Sequence, residues 1–196
     1  MICRKSDSES VSIAADYLRR GKIVILPTDT VYGFSGIVDG RHYSFHTDKK
    51  ICEIKERDEN KAFIQLLAKP SDIKKYTRDV IPCELLEKWP GPLTIIVHTF
   101  EDDGNLKTTA FRCPGDEWLR KVISLCGAPI YSTSVNESGK DAINNVSDIK
   151  AVFGTKVDLI VDDGDKNKGI PSTIVSIMED GSLKLLRQGE IKLENL

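Results

Sequence analysis

Hydrophobic and polar residues along this chain follow two spacings, and the spacings predict which segments are helices and which are strands. Between residues 10 and 20, apolar side chains recur every three or four positions, which predicts a helix that Ser8 or Ser10 caps and Gly21 ends. The short apolar run that follows, residues 22–26, predicts a buried strand instead. The chain therefore begins with a helix followed by a core strand.

The rest of the chain continues this alternation of helices and strands. Further strands are predicted at 34–38, 63–68, 93–100, 108–113, 129–132 and 157–161, with a terminal hairpin of 173–178 and 182–187. Helices are predicted at 41–56 and 82–88, with shorter or capped ones beginning at Ser71, Asp116 and Ser147; the last two end at Gly127 and near Gly154. Because some connections are hairpin-like, we expect an α/β fold with a twisted sheet of parallel and antiparallel strands. No linker or repeat divides it, so residues 1–196 are predicted to form one domain, with a core from about residue 10 to 191.

Composition narrows the class of protein. The 196 residues are 40% hydrophobic and 30% charged, with a net charge of −2, which is ordinary for a packed globule and argues against a dedicated nucleic-acid binder. No apolar run approaches the roughly 20 residues that span a bilayer, and the first residues lack a signal-peptide core, so we expect a soluble, cytoplasmic protein without a membrane partner. An odd number of cysteines without a Cys-x-x-Cys pair predicts buried, reduced thiols: Cys3, Cys52, Cys83, Cys113 and Cys126.

Polar side chains follow two of the predicted elements at the points where these end. Thr28, Asp29 and Thr30 come directly after the first strand, where they either stabilise a turn or bind a ligand. Lys55 and Arg57 end a predicted helix, where cations complement the helix dipole or grip a polyphosphate. For each pair of readings, the local pattern alone leaves both open.

Two later segments add polar groups that strands rarely carry. Ser132, Ser134, Asn136 and Ser138 alternate, so their side chains share one face if the strand continues, although an exposed edge strand explains them as well. Arginines also stand at or near the ends of two apolar strands, Arg112 and Arg187, where they either reach solvent or capture carboxylate or phosphate groups.

Other familiar site patterns are missing. The run 162–165 (Asp-Asp-Gly-Asp) lacks the downstream glutamate of a calcium loop, and the three histidines lack the spacing of metal ligands or of a catalytic triad. There is no Walker-type phosphate loop and no nucleophile elbow. We therefore predict no protein-bound metal and no covalent catalysis.

Seven motifs in order identify the family that this chain resembles. They are Pro27-Thr28-Asp29-Thr30-Val31-Tyr32-Gly33, Lys55-x-Arg57, Trp89-Pro90-Gly91-Pro92-Leu93-Thr94, Arg112-x-Pro114, Ser134-x-Asn136-x-Ser138-Gly139, Pro171-Ser172-Thr173 and Leu186-Arg187-x-Gly189. Together they resemble the Sua5/YrdC/YciO family, specifically the short YrdC-type threonylcarbamoyl-AMP synthases. The resemblance implies a YrdC/RibB-like fold, with flanking helices and a large concave cavity.

The resemblance also implies an activity. Members of the family are nucleotidyltransferases that make threonylcarbamoyl-AMP and pyrophosphate from L-threonine, bicarbonate and ATP, with a magnesium ion carried by the nucleotide. The product feeds N6-threonylcarbamoyl modification of adenosine 37 of tRNA by a downstream transferase machinery. A YciO-like paralogue and an RNA-binding module of the same fold, with weak tRNA binding, are the alternatives.

Site residues follow from the same resemblance. Catalysis is expected from Lys55 and Arg57. L-threonine is expected at Thr30, Arg112 and Ser172. The ATP site is expected to comprise Lys55, Arg57, Thr108, Ser132, Ser134, Asn136 and Arg187. Asn60 and Gln65 are weaker candidates, because residues 58–61 depart from the family pattern.

Overall fold

The computed structural model describes residues 1–40, 44–59, 61–100, 104–166 and 169–193. Ten strands lie within these ranges: β1 (Ile2–Arg4), β2 (Val24–Leu26), β3 (Gly33–Ile37), β4 (Ile64–Leu66), β5 (Leu93–Phe100), β6 (Leu106–Arg112), β7 (Ile130–Ser134), β8 (Leu159–Asp162), β9 (Thr173–Ile177) and β10 (Leu183–Arg187). The α-helices are α1 (Ser10–Arg19), α2 (Thr47–Lys55), α3 (Cys83–Leu86), α4 (Glu117–Cys126) and α5 (Val146–Phe153), and a 3-10 helix covers Pro70–Lys75.

All ten strands belong to one sheet in the order β1-β8-β2-β3-β7-β4-β6-β5-β9-β10. Four neighbouring pairs are parallel, namely β1–β8, β2–β8, β4–β6 and β5–β9, and the other five are antiparallel. The predicted mixed α/β fold is therefore confirmed.

Helices cover the sheet on both faces. One apolar cluster packs α1 and α4 against the inner strands, with Leu18, Leu119 and Ile130 fully buried. A second cluster packs Ile51 of α2 and Phe153 of α5 against Phe34 on the other side of the sheet. Because each helix buries one apolar side, most of the sheet is shielded from water.

Several predicted boundaries need correction. Neither Ser8 nor Ser10 caps α1: its N-cap is Glu9, and the Ser10 hydroxyl donates to the carbonyl of Lys5 instead. Asn145, rather than Ser147, caps α5 by accepting from the amide of Asp148. In contrast, Asp116 caps α4 as predicted.

Helix α2 begins later than the predicted residue 41. The Asp39 carboxylate accepts the backbone N–H groups of Phe45 and His46, and His46 adopts a left-handed conformation with φ 51°. These contacts hold the chain in a turn, so the helix starts at Thr47; residues 41–43 lie outside the described ranges.

The sequence pattern also missed β1, which pairs with β8 in parallel. Four cysteines are buried and reduced as predicted, whereas Cys83 is exposed. Across the ranges that the structure describes, no helix combines the length and apolar character needed to cross a membrane.

Candidate functional site

A cavity of about 440 Å³ opens on one face of the sheet. The strand registers put Ser132 and Ser134 of β7, Ile64 of β4 and Arg112 of β6 on this face, since paired residues of neighbouring strands point the same way. Ile130, at the other end of the same face, belongs to the cluster under α1 and α4. The cavity is thus the part of the face that these helices leave uncovered, and its volume lies in the range of small-molecule sites.

The turn after β2 contributes one wall of the cavity. The Thr28 hydroxyl accepts from the amides of Thr30 and Val31 and lies 2.9 Å from the Thr30 hydroxyl, so Thr28 stabilises the turn. Thr30 in turn accepts a 3.0 Å hydrogen bond from Nη1 of Arg112. At the start of β3, a Cβ atom on Gly33 would lie only 2.8 Å from the Ser132 hydroxyl. A side chain at position 33 would therefore displace the Ser132 hydroxyl.

Arg112 lies under that turn and is only 5% exposed. Its Nε atom donates to the carbonyl of Gly91, and its Nη2 atom lies 2.6 Å from Oδ1 of Asp29. Asp29 is therefore the ionic partner of Nη2, which is buried and has no other partner among the described residues. Strand β6 lies between β4 and β5, so the alternative of an edge arginine that reaches solvent is wrong.

Arg187 reaches the cavity because of a break in the β9–β10 register. Leu185 pairs with Val175, but Arg187 pairs with Ile174, so Leu186 is an extra residue on its strand. A bulge of this kind redirects the side chain that follows it, and Arg187 consequently faces the cavity beside Ile174. Its guanidinium donates to the carbonyl and the hydroxyl of Ser172, at 2.9 and 3.1 Å.

Arg57 comes directly after α2 and also lines the cavity. Glu56 ends the helix in a left-handed conformation with φ 51°, which reverses the chain and directs Arg57 into the cavity. The Arg57 guanidinium donates to Oγ1 of Thr133 at 3.1 Å and lies 4.7 Å from the ring centre of Phe63. Burial lowers the pKa of Arg57, and its Nε atom has no hydrogen-bond partner.

Lys55 is placed differently from the other predicted cations. It is 2% exposed and does not line the cavity. Its Nζ atom donates to the carbonyls of Ser134 and Asn136 and to Oδ1 of Asn136, at 2.5, 2.7 and 2.8 Å. The interpretation of Lys55 as a solvated helix end is therefore wrong. Its expected role in catalysis and ATP binding stays a prediction.

The structure brings most of the predicted site residues together. Those that line the cavity are Thr30, Arg57, Arg112, Ser132, Ser134, Asn136, Ser172 and Arg187. Thr108 and Gln65 line a smaller adjoining pocket that shares Ala62 and Phe63 with the cavity. Asn60 lies outside the described residues, and Ser138 is exposed because β7 ends at Ser134.

Three residues near the site, Asp29, Thr94 and Thr133, were not among the predicted site residues. Asp29 pairs with Arg112 and also accepts from the amide of Gly115 at 2.8 Å. The buried Thr94 hydroxyl lies 2.8 Å from the hydroxyl of Ser172, and Thr133 accepts from Arg57. The sequence does mark Thr94, because a threonine inside an apolar strand has a hydroxyl that needs a buried hydrogen-bond partner.

The charge of the cavity differs in sign from that of the whole chain. Among the described residues, its lining contains four cationic side chains, Arg57, Arg112, Lys140 and Arg187, and one carboxylate, Asp141. Burial and, to a smaller extent, the charge of Arg112 lower the pKa of Arg187. Several guanidinium groups that face one cavity are suited to ligands with more than one anionic group.

This combination of a mixed α/β sheet with guanidinium groups and hydroxyls on its open face defines an α/β protein whose cavity is rich in cationic side chains. Comparison with known proteins identifies the family. The family model Sua5/YciO/YrdC, whose description is "Telomere recombination", matches residues 16–189. The chain therefore belongs to the Sua5/YciO/YrdC family.

Two curated relatives are about a third identical to this chain over the aligned residues. A threonylcarbamoyl-AMP synthase of Pyrococcus abyssi is 32% identical over 95% of this chain and 56% of its own length. A putative threonylcarbamoyl-AMP synthase of Methanocaldococcus jannaschii is 32% identical over 90% of this chain and 84% of its own length. The chain thus spans little more than half of the first relative and most of the second.

Solved structures agree with the fold. P. abyssi Sua5 complexed with L-threonine superposes with a TM-score of 0.81 at 32% identity, over 96% of this chain and 57% of that protein. Escherichia coli YciO also superposes with a TM-score of 0.81, over 99% and 96% of the two chains, but at 20% identity this likeness concerns the fold alone.

Proposed function

We propose that this protein is an L-threonylcarbamoyladenylate synthase, a nucleotidyltransferase that uses L-threonine, bicarbonate and ATP. The observation that supports this most directly is the convergence of Arg57, Arg112 and Arg187 with Thr30 and Ser172 on one cavity. A relative of known structure, P. abyssi Sua5, binds L-threonine, and relatives from archaea, bacteria and mouse carry the name of this enzyme.

The threonine subsite lies around Arg112 in this proposal. Arg112 lines the cavity beside Thr30, so we assign the substrate carboxylate to its guanidinium, next to the hydroxyl of Thr30. Ser172, whose hydroxyl is fixed by Thr94 and Arg187, is the partner proposed for the threonine side chain. A fixed hydroxyl loses less rotational freedom on binding than a mobile one.

ATP is assigned to the side of the cavity that contains Arg57, Ser132, Ser134, Asn136 and Arg187. The adjoining pocket that contains Thr108 lies next to this side, so a nucleotide that extends past Phe63 reaches it. Because the Lys55 ammonium already has three oxygen partners, we assign the phosphates to Arg57 and Arg187. The magnesium ion enters with the nucleotide as part of the substrate.

In the proposed reaction, two anions, the carbamate of threonine and the α-phosphate of ATP, must come into contact. The unprotonated amine of threonine attacks the carbon of bicarbonate or carbon dioxide; the carbamate forms with loss of water from bicarbonate, or with loss of the amine proton when carbon dioxide reacts. A carbamate oxygen then attacks the α-phosphorus of ATP, and pyrophosphate leaves. The guanidinium groups that line the cavity offset the repulsion between carbamate and phosphate, so catalysis consists of positioning and charge stabilisation without a protein nucleophile.

Pyrophosphate release tests the proposal. The full chain should release pyrophosphate from ATP only when both L-threonine and bicarbonate are present, with L-serine and glycine as poor substitutes. Pyrophosphate release that does not depend on threonine would contradict the proposed function. The adenylate is expected to pass to a transferase machinery that modifies tRNA, and any tRNA binding by this chain itself should weaken steeply with salt.

A further inference from the structure

The ammonium of Lys55 is buried behind one wall of the cavity, and all of its hydrogen-bonding capacity is used. An ammonium group has three N–H donors. Lys55 directs them at three oxygen atoms, the carbonyls of Ser134 and Asn136 and Oδ1 of Asn136. To reach a ligand in the cavity, Lys55 would have to break these bonds and leave buried acceptors without a donor, which is unfavourable.

The three acceptors belong to the segment that leaves β7, residues 134–140, which we call the β7 wall. Asn136 Oδ1 also accepts from the Ser134 hydroxyl at 2.7 Å, and the side-chain Nδ2 of Asn136 donates to the carbonyls of Glu137 and Lys140. The amide of Ser138 donates to the carbonyl of Lys55 at 2.9 Å. The β7 wall therefore turns around both the side chain and the backbone of Lys55.

Ser134 and Asn136 line the cavity, whereas Lys55 does not. We propose that Lys55 is a positioning residue, which holds the β7 wall in the shape that binds the nucleotide and acts on the ligand through Ser134 and Asn136. This inference rests on the proposed function for the identity of the ligand. It assigns to Lys55 a role different from that of Arg57, although the two lie one residue apart.

Amine labelling of the unmodified protein provides the first test. The full chain is treated briefly with an amine-acylating reagent, with and without ATP and magnesium, and labelled peptides are quantified by mass spectrometry. Lys55 should label far more slowly than Lys140, whose side chain is 72% exposed, and ATP should leave the slow rate of Lys55 unchanged. Labelling of Lys55 as fast as that of Lys140, with protection by ATP, would overturn the proposal.

Variants provide the second test, by way of hydrogen exchange and ligand affinity. In Lys55→Met, amide exchange within the β7 wall should speed up by about tenfold or more, and ATP and AMP should lose affinity by similar factors. Lys50→Met is the matched control, since Lys50 is an exposed lysine of α2 that donates to the carbonyl of Gly21. A loss confined to ATP, with exchange in the wall unchanged, would mean that Lys55 contacts the β- and γ-phosphates.

A double-mutant cycle separates the two roles further. If Lys55 acts through Asn136, the double variant of Lys55→Met and Asn136→Ala should lose less ATP affinity than the product of the single losses. Losses that multiply would contradict the proposal. If Lys55→Met does not fold, labelling of the unmodified protein still tests whether the Lys55 ammonium is buried or contacts ATP. Should the unmodified protein fail to consume ATP with threonine, the proposed function falls, while exchange in the wall still tests the role of Lys55.

Discussion

Replacement of Arg112 by lysine separates the shape of the guanidinium group from its charge. Arg112 donates through Nε to Gly91 and through Nη1 to Thr30, and it pairs through Nη2 with Asp29. An ammonium keeps the charge and can meet Asp29, but it lacks the planar fork that reaches the other two acceptors. The variant therefore loses two hydrogen bonds from a charged donor at a buried site.

The size of the effect follows from those two bonds. Hydrogen bonds to charged groups contribute about 1.5–3 kcal/mol each, and Thr30 retains a partner in Thr28. We therefore expect Arg112→Lys to lower the free energy of unfolding by about 2–4 kcal/mol. Loss of the two-pronged grip on the substrate carboxylate should raise the KM for threonine by about 10- to 100-fold.

Urea denaturation and steady-state pyrophosphate release measure the two quantities. The KM for ATP should change by less than about threefold, because Arg57 and Arg187 are retained. Arg20→Lys is a control for the exchange itself, since Arg20 forms an exposed ion pair with Asp16. A folded Arg112→Lys protein whose KM for threonine stays within about threefold of the unmodified value would refute the assignment of Arg112 to the carboxylate.

Three further predictions address single contacts. Thr94→Val keeps the shape of a buried side chain but removes one of the two partners of the Ser172 hydroxyl, the other being Arg187. We expect kcat/KM for threonine to fall about 5- to 20-fold while the KM for ATP is unchanged. Equal loss for both substrates in steady-state assays would contradict this prediction. Glu56→Gly should raise the free energy of unfolding by about 0.5–1 kcal/mol in urea titrations, because glycine adopts the left-handed φ of 51° without strain. An unchanged free energy of unfolding would argue against the left-handed conformation of Glu56. Burial and, secondarily, Arg57 lower the pKa of Lys55 from 10.5 to about 8. Between these two pH values the unfolded chain binds more protons than the folded protein does. The free energy of unfolding of the unmodified protein, relative to that of Lys55→Met, should therefore rise with pH. Urea titrations that give a constant difference in this free energy from pH 8 to 10.5 would contradict the burial of Lys55.

The elements that the sequence predicts well are those with a strong period or a clear cap. Helix α4 has apolar residues on one side, Asp116 at its start and Gly127 in a left-handed conformation at its end, and all three signals agree. Strand β1 has only three residues and pairs along one side with β8, so it is too short for a period to be detected.

Local patterns could not predict the way in which the site is assembled. Arg187 faces the cavity because of a bulge at Leu186, which no glycine or other residue type announces. The turn at Glu56 likewise lacks the glycine that usually marks a left-handed helix end. Spacing also assigns Lys55 and Arg57 to the same region without showing that one is buried behind the wall and the other faces the ligand.

In the proposed mechanism, one cavity holds an amino acid and a nucleotide together. A crystal structure of the protein with L-threonine and a non-hydrolysable ATP analogue would show whether it does. We expect the threonine carboxylate within hydrogen-bond distance of Arg112, and the phosphates beside Arg57 and Arg187 in the same cavity. Threonine and nucleotide bound at separate places, or phosphates held by Lys55 with the β7 wall opened, would contradict it.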